Sequence, residues 1–187
     1  MEERKRAHIN LAFDSRVNAG EADPRFNYEP LLSAHPSFDF EPINFAGKTM
    51  RLPVWVSSMT GGTALAGQIN RNLARVCSEF GLGMGLGSCR ILLDDPKHLA
   101  DFDVRDIMGA EVPFYANLGI AQLEHMLVEG SEDRIGELVD KLRADGIIIH
   151  INPLQEAFQP EGDLLNRPPI ESIQEFLEKT HLRVIVK

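Results

Sequence analysis

The sequence predicts an α/β fold of the (β/α)8 barrel type, of which this chain supplies about five strands. Apolar segments suited to buried strands recur at intervals of roughly 30 residues, and helical patterns fill the intervals between them. Each predicted strand ends in polar or glycine-rich residues, and parallel α/β folds bind ligands at that edge. These two observations favour a barrel with a composite site at one rim. A flavodoxin-like open sheet is the alternative architecture.

Residues 1–51 precede the repeating pattern, which occupies residues 52–187. We therefore expect an N-terminal extension followed by the N-terminal part of a barrel. The basic run Arg4–Arg6 can open a short helix with Lys5 and His8 on neighbouring turns. Such a run is more often a solvated end of the chain, but arginine and lysine side chains also suit a clamp for a phosphate group.

The repeating pattern can be followed element by element. The predicted strands are Leu52–Met59, Gly81–Ser88, Pro113–Gly119, the stretch that begins at Ile147, and Leu182–Val186. One predicted helix runs from after Thr63 to Phe80, and a second begins at Pro96. The remaining predicted helices are Ile120–Val128, Asp133–Ala144 and Pro168–Thr180. A polar loop, Gln159–Arg167, separates the fourth strand from the last helix. Strands and helices that alternate in this way indicate βαβ units and a parallel sheet.

The fourth strand carries the most informative polar residues. Its β-branched segment Ile147–Ile149 suits a strand buried on both faces. His150 and Asn152 follow on one face, and Pro153 should end the strand because proline cannot donate to a sheet. Two more polar residues are expected in the loop beyond it: Gln155 and Glu156. His150 and Asn152 could be satisfied by neighbours inside a core, but the polar ends of the other strands favour a shared site.

The second strand contains an alternating glycine pattern, GxGxGxG, at residues 81–87. No frame of it reads GxGxxG, so the pattern does not predict a dinucleotide-binding turn. Alternating glycines inside a strand indicate that something approaches one face of the sheet closely, either a flat ligand ring or a tightly packed helix. The turn Thr60–Thr63 has a similar ambiguity, because its amides could reach a ligand or simply form a sharp turn into a helix.

Composition narrows the functional classes. The chain has 187 residues, a formal net charge of −9 and 43% hydrophobic residues, which is ordinary for one globular domain. The acidic balance argues against general nucleic-acid binding. Cys77 and Cys89 are too far apart for a CxxC motif, so we expect reduced thiols and a cytoplasmic location. No apolar run approaches the roughly 20 residues of a membrane span, and the polar N-terminus is not typical of a signal peptide.

Six stretches, taken together, carry a specific resemblance. They are Arg4–His8, Ser57–Gly62, Gly85–Leu92, Ala116–Gly119, His150–Glu156 and Val184–Lys187. In this order and spacing the sequence resembles type 2 isopentenyl diphosphate isomerases, the flavin-dependent enzymes of isoprenoid synthesis. The resemblance implies an FMN-binding (β/α)8 barrel that interconverts isopentenyl and dimethylallyl diphosphate, with reduced FMN as the cofactor, Mg²⁺ on the diphosphate and NADPH as the reductant. It also implies a homo-oligomer, a tetramer or larger, with no nucleic-acid or membrane partner.

The resemblance also assigns roles to individual residues. The residues implied for flavin binding are Ser58, Met59, Thr60, Ser88, Asn117 and Lys187. Those implied for the diphosphate substrate are Arg4, Lys5, His8, Ser88, Arg90 and Gln155. Gln155, His150 and Asn152 are implied as catalytic residues, with Gln155 beside the isoprene carbons, and Glu156 is implied as the ligand of Mg²⁺. With these roles, the basic run Arg4–Arg6 would bind the diphosphate from one side of the site.

Two departures from the family pattern leave alternatives open. Cys89 stands where glutamine is common, and we expect a space-filling side chain there rather than a nucleophile. The pattern also supplies five strands where a barrel has eight. We expect these residues to be part of a longer enzyme, with a second polypeptide supplying the rest as a weaker possibility. A non-catalytic half-barrel that binds a phosphate ligand or a partner chain is the alternative function. An FMN-dependent 2-hydroxy-acid oxidase ranks lower, because it leaves Gln155–Glu156 unexplained.

Overall fold

The computed structural model describes residues 2–14, 31–32, 34, 40–58, 61–160 and 162–187. Two short strands, Ile43–Phe45 (β1) and Lys48–Met50 (β2), form an antiparallel hairpin. The strands Trp55–Val56 (β3), Gly83–Gly85 (β4), Phe114–Gly119 (β5), Gly146–His150 (β6) and Val184–Val186 (β7) form one sheet in this order. All neighbouring pairs in the sheet are parallel. The predicted α/β fold is confirmed as a five-stranded parallel half-barrel.

Helices occupy the intervals between the strands. They are Glu2–Asp14 (α1), Ala64–Phe80 (α2), Ile91–Asp94 (α3), Arg105–Met108 (α4), Ile120–Glu129 (α5), Asp133–Leu142 (α6), Pro153–Phe158 (α7) and Pro169–Lys179 (α8). A 3₁₀ helix, Pro96–Asp101, precedes α4, so the single helix predicted from Pro96 is two short ones. No helix in the described ranges is both long and apolar enough to cross a bilayer.

The two faces of the sheet are chemically different. Phe114, Ala116 and Leu118 of β5 are buried in the core between the sheet and the helices, together with Ile147 and Ile149 of β6. Residues of the opposite parity lie on the inner face of the half-barrel, because side chains alternate along a strand. They include Tyr115, Asn117, Ile148 and His150. The inner face is therefore apolar near the start of the strands and polar at their ends.

The alternating glycines of the second strand are on this inner face. A Cβ atom at Gly83 would lie less than 3.0 Å from the Trp55 ring, and one at Gly85 would meet Ile148 and Ser58 at less than 3.0 Å. A ligand ring on this strand face stays a prediction, but at Gly83 and Gly85 a helix does not take the space. Side chains of neighbouring strands fill it instead, and Trp55 covers the glycine strand from its partner β3.

The β1–β2 hairpin packs across the amino-terminal ends of the strands. Phe45 contacts Trp55 with ring centroids 5.1 Å apart, and Arg183 Nη1 donates to Ala46 O at 2.9 Å. Lys48 forms an ion pair with Asp145 at 2.7 Å, immediately before β6. This end of the half-barrel is closed by aromatic and ionic contacts, which leaves the opposite end for ligands.

Asp145 joins three elements at that closed end. Its carboxylate pairs with Lys48 and with Arg105 of α4 at 2.8 Å, and accepts from the Phe114 N–H of β5 at 2.8 Å. Burial opposes ionisation of Asp145, but the hydrogen bonds from Lys48, Arg105 and Phe114 outweigh it and hold its pKa below the ordinary value. The network therefore acts as a structural junction.

Candidate active site

A cavity of about 430 Å³ opens at the carboxyl ends of the strands, which is within the usual size of ligand pockets. Predicted site residues from five of the six stretches line it. They are Lys5, Ser58, Ser88, Arg90, Asn117, His150, Asn152, Gln155 and Glu156. The register explains part of this convergence, because Asn117 pairs with Ile148 and Gly119 pairs with His150 on adjacent strands. Residues far apart in sequence thus meet at one rim.

The amino-terminal helix α1 contributes one wall through Lys5, Leu11 and Ala12. Lys5 Nζ lies 5.6 Å from the centroid of the Phe102 ring and next to Gly62, so this part of the helix packs on the body of the protein. This placement favours the clamp interpretation of the basic run over a solvated end. The side chains of Arg4 and His8 lie outside the described residues, so their predicted roles stay predictions.

Packing accounts for the described part of the predicted turn, residues 61–63. Gly61 lies so close to Phe102 that a Cβ there would overlap the ring, and Gly62 has a positive φ of 72°. Thr63 then caps α2 by accepting from the Ala66 N–H at 3.1 Å. The predicted flavin-binding residues Met59 and Thr60 lie outside the described residues.

Polar groups suited to a flavin surround Ser58. Its Oγ is buried and has no hydrogen-bond partner among the described residues, and its carbonyl oxygen accepts from Lys187 Nζ at 2.9 Å. Burial lowers the pKa of Lys187. Asn117 is buried on the cavity wall that Ser58 also lines, whereas Ser88 on the same wall is more exposed. An unsatisfied hydroxyl, a buried amide and a lysine at one rim fit the polar edge of a flavin ring.

Cys89 is fully buried between Ser88 and Arg90, and its N–H donates to Asn117 O at 2.8 Å. Burial raises the pKa of its thiol to about 12, although the Asn117 backbone and Lys5 oppose the shift. A thiol in this state is not a nucleophile, which agrees with the expected space-filling role. The hydrogen bond from the Cys89 N–H to Asn117 holds the neighbouring residues Ser88 and Arg90 next to the carboxyl end of β5.

His150 faces the cavity from the end of β6. Burial lowers its pKa, Lys187 lowers it further, and Glu156 opposes both effects. The imidazole is therefore mainly neutral near pH 7, so one ring nitrogen can donate and the other can accept. This state suits a group that exchanges hydrogen bonds with a ligand rather than a fixed cation.

Gln155 and Glu156 lie in the helix α7 and not in the predicted loop. Pro153 ends the strand as expected, but it then occupies the first turn of a helix, where its missing N–H costs nothing. The helix brings Asn152 Nδ2 to 2.8 Å from Glu156 Oε1, while Asn152 Oδ1 is buried and has no partner in the part of the chain that the structure describes. Gln155 is on the cavity wall with an exposed side chain.

Sequence reasoning missed several contributors to the site, among them Gln122 and Asp163. Gln122 lines the cavity from the first turn of α5 and is only 9% exposed. Its Nε2 donates to Asp163 Oδ2 at 3.2 Å, and Arg90 Nη1 donates to the same oxygen at 3.0 Å. A polar residue inside the apolar start of α5 was a usable signal for Gln122. No local pattern marks Asp163, which comes from the polar loop.

The wall of the cavity offers one predicted metal ligand, Glu156. In the part of the chain that the structure describes, no cluster of three or more His, Cys, Asp and Glu side chains is arranged around a common point. Mg²⁺ commonly takes one or two carboxylates and completes its shell with phosphate and water. The arrangement therefore fits a magnesium ion that binds together with a phosphate ligand.

Comparison with known proteins identifies relatives of this chain. No family model matches it. The isopentenyl-diphosphate delta-isomerase of Rickettsia felis is 35% identical over 189 residues, and that of Rickettsia rickettsii is 36% identical over 192 residues. Each alignment covers 99% of this chain. The chain is homologous to the amino-terminal half of isopentenyl-diphosphate delta-isomerases.

The homology extends beyond one genus but covers only part of each relative. The isopentenyl-diphosphate delta-isomerase of Mycolicibacterium vanbaalenii is 36% identical over 168 residues, which is 87% of this chain and 48% of that protein. The Rickettsia isomerases are covered over 54% of their length. The chain thus spans about half the length of the curated relatives it matches.

A solved structure of flavocytochrome b2 with sulfite bound has the same architecture as this homologue of the isomerases. The two superpose with a TM-score of 0.51 over 78% of this chain and 38% of flavocytochrome b2. Their sequence identity is 15%, so the likeness concerns the fold alone. It gives no support to the oxidase alternative.

Proposed function

We propose that this chain supplies the rim of a type 2 isopentenyl-diphosphate isomerase site that binds the diphosphate, the flavin ring and Mg²⁺. One observation carries the proposal: in a homologue of these isomerases, nine predicted site residues line one cavity at the strand ends. The cavity joins cations, a carboxylate and neutral polar groups, which are the group types that a diphosphate, a metal ion and a flavin each require.

The basic part of the rim receives the diphosphate. Lys5 approaches it from α1 and Arg90 from the start of α3, so the two cations come from different elements. The planar guanidinium of Arg90 can donate two parallel hydrogen bonds to phosphate oxygens, whereas Lys5 acts as a point charge. Glu156 neutralises the metal ion that shares the anion, and its bond to Asn152 fixes the orientation of the carboxylate.

The rest of the rim receives the isoprene carbons and the flavin. Neutral polar residues border the carbon chain: Gln155, His150 and Asn152. The flavin edge is held by Ser58, Ser88, Asn117 and the cation Lys187, with Met59 and Thr60 assigned beside it. When bound, the reduced flavin supplies the acid and base for a 1,3-proton shift without net redox change. The chain's own part is to orient the two ligands and to keep His150 neutral.

The direct test is conversion of isopentenyl diphosphate with FMN, NADPH and Mg²⁺ under anaerobic conditions. We expect dimethylallyl diphosphate to form, and Glu156→Gln to lower kcat/KM about a hundredfold because the metal loses its carboxylate. Glu178→Gln, which changes an exposed glutamate of α8, is the matched control and should retain activity. Absence of product from the complete protein that contains this chain, with FMN bound, would reject the isomerase proposal.

A half-barrel that binds a phosphate ligand without catalysis is the second candidate. It requires only the charged residues that line the cavity, Lys5, Arg90 and Glu156. This candidate predicts a folded protein that binds pyrophosphate but does not acquire flavin absorbance when FMN is added. Retention of FMN through gel filtration would instead support the isomerase.

A further inference from the structure

Asp163 contacts the cavity wall from behind. Its carboxylate accepts from Arg90 Nη1 at 3.0 Å and from Gln122 Nε2 at 3.2 Å, and its backbone N–H donates to Glu156 Oε2 at 3.2 Å. Arg90, Gln122 and Glu156 all line the cavity, whereas Asp163 does not. One residue therefore touches three side chains of the wall without facing the ligand space itself.

The contact with Arg90 leaves donors for a ligand. Arginine carries five N–H donors in a rigid fork, and the hydrogen bond to Asp163 is made through Nη1. The remaining nitrogens of the Arg90 fork can face an anion in the cavity at the same time. Asp163 is therefore placed to hold the guanidinium, not to occupy the anion's position.

The segment that carries Asp163 is itself fixed to α5. The buried Glu124 carboxylate accepts from the Asn166 N–H at 2.7 Å and from Asn166 Nδ2 at 3.0 Å. Gln122, two residues earlier on the same helix, holds the Asp163 carboxylate. These two attachments to α5 determine where the carboxylate lies before any ligand binds.

We propose that Asp163 is a positioning residue that orients Arg90 toward a diphosphate anion and couples it to the Glu156 carboxylate. The inference rests on the proposed function, because it takes the anion in the cavity to be a diphosphate. The long side chain of Arg90 is 42% exposed, and such a side chain loses rotamer freedom when it binds an anion. Because the pair with Asp163 fixes Arg90 in advance, less freedom is lost on binding and the affinity is higher.

The test is calorimetric titration with magnesium pyrophosphate. We expect Asp163→Asn to weaken binding about tenfold, because a charge-assisted hydrogen bond to Arg90 is lost. Asp103→Asn is the matched control, because Asp103 pairs with Arg143 at 2.6 Å in a similarly exposed ion pair. The side chains of Asp103 and Arg143 are 31% and 45% exposed, and those of Asp163 and Arg90 are 24% and 42% exposed. The control should bind pyrophosphate as tightly as the unsubstituted chain.

A double-mutant cycle separates positioning from a general structural role. In an Arg90→Gln background, Asp163→Asn should weaken pyrophosphate binding no further, because the side chain that Asp163 orients is already absent. An equal loss in both backgrounds would overturn the proposal, as would an unchanged affinity of Asp163→Asn alone.

A ligand-free measurement keeps the test independent of the proposed function. The NMR signals of the Arg90 guanidinium should show restricted motion in the unsubstituted chain and free rotation in Asp163→Asn. Restricted motion in both would overturn the positioning role even if pyrophosphate binds. If the unsubstituted chain binds no pyrophosphate, the proposed function fails, and the Arg90 signals still decide whether Asp163 holds this side chain.

Discussion

His150 combines burial with two opposing charges at the end of a strand. Burial disfavours the imidazolium, Lys187 repels it, and Glu156 attracts it, and the net result is a lowered pKa. The protonation state of His150 therefore depends on two other residues of the candidate site. Its titration reports the electrostatics of the rim without any ligand.

We predict that His150 titrates below its ordinary value of about 6.5 when its ring signals are followed by NMR. Lys187→Gln should raise this pKa, because a repelling charge is removed, and Glu156→Gln should lower it further. Glu178→Gln, far from the rim on α8, serves as the reference and should leave the titration unchanged. A pKa at or above 6.5 in the unsubstituted chain would contradict the structure.

Individual site residues differ in how far the sequence could reveal them. Asn117 and His150 were predictable because each ends a buried strand, and the ends of parallel strands meet at one edge. Asp163 was not predictable, because its position depends on how a polar loop folds back over Arg90 and Gln122. Loops carry no periodic pattern from which such contacts can be derived.

Among the elements, the strand β4 and the close approach to its glycine face were predicted, but the side chains that make this approach were not. Periodicity located the glycine strand correctly, yet no pattern in the sequence indicates that Trp55 and Ile148 fill the space above Gly83 and Gly85. Those contacts depend on the curvature and register of the sheet. The helix α7 is a second example, because Pro153 is compatible both with a strand end and with a helix start.

We predict that Gly83→Ala destabilises the chain by about 1–3 kcal/mol, because the new methyl group would overlap the Trp55 ring. Gly136→Ala is the matched control, since a Cβ at this position of α6 meets nothing within 4 Å. The control should be stabilised by about 0.4–1 kcal/mol, as a helical glycine is replaced by alanine. Urea unfolding measures both, and equal stabilities of the two variants would contradict the described packing.

For the molecule as a whole, Asp145 connects the hairpin, the helix α4 and the central strand β5. Its side chain is 13% exposed, so its hydrogen bonds are largely shielded from water. The folded state lowers its pKa below the unfolded value of about 3.9. The stabilisation is therefore fully present above that value and is lost as the pH falls through the lower, folded pKa.

We predict that Asp145→Asn lowers the free energy of unfolding near neutral pH by about 2 kcal/mol, because it removes charged hydrogen bonds to Lys48 and Arg105. The loss of stability on acidification below about pH 4 should also be smaller in this variant. The control is Asp94→Asn, because Asp94 forms an exposed ion pair with Arg134 at an N–O distance of 3.6 Å. This substitution should change the free energy of unfolding by less than about 1 kcal/mol. Chemical denaturation at several pH values tests both statements.

The alternation of strands and helices along the whole chain was readable from the sequence, because each apolar segment has the length and flanking residues of its element. The closure of the amino-terminal end was not, since Phe45 and Lys48 meet Trp55 and Asp145 only after the sheet has formed. Long-range contacts of this kind depend on the complete fold and leave no local pattern.

The position of Trp55 has a practical consequence. It is the single tryptophan of the chain, and its indole Nε1 and Ser58 Oγ both lie within 3.5 Å of one point above Gly85. Ser58 in turn lines the cavity. The chain therefore carries an intrinsic fluorophore directly beneath its candidate flavin site, so ligand occupancy can be followed as quenched ultraviolet emission, with no label attached.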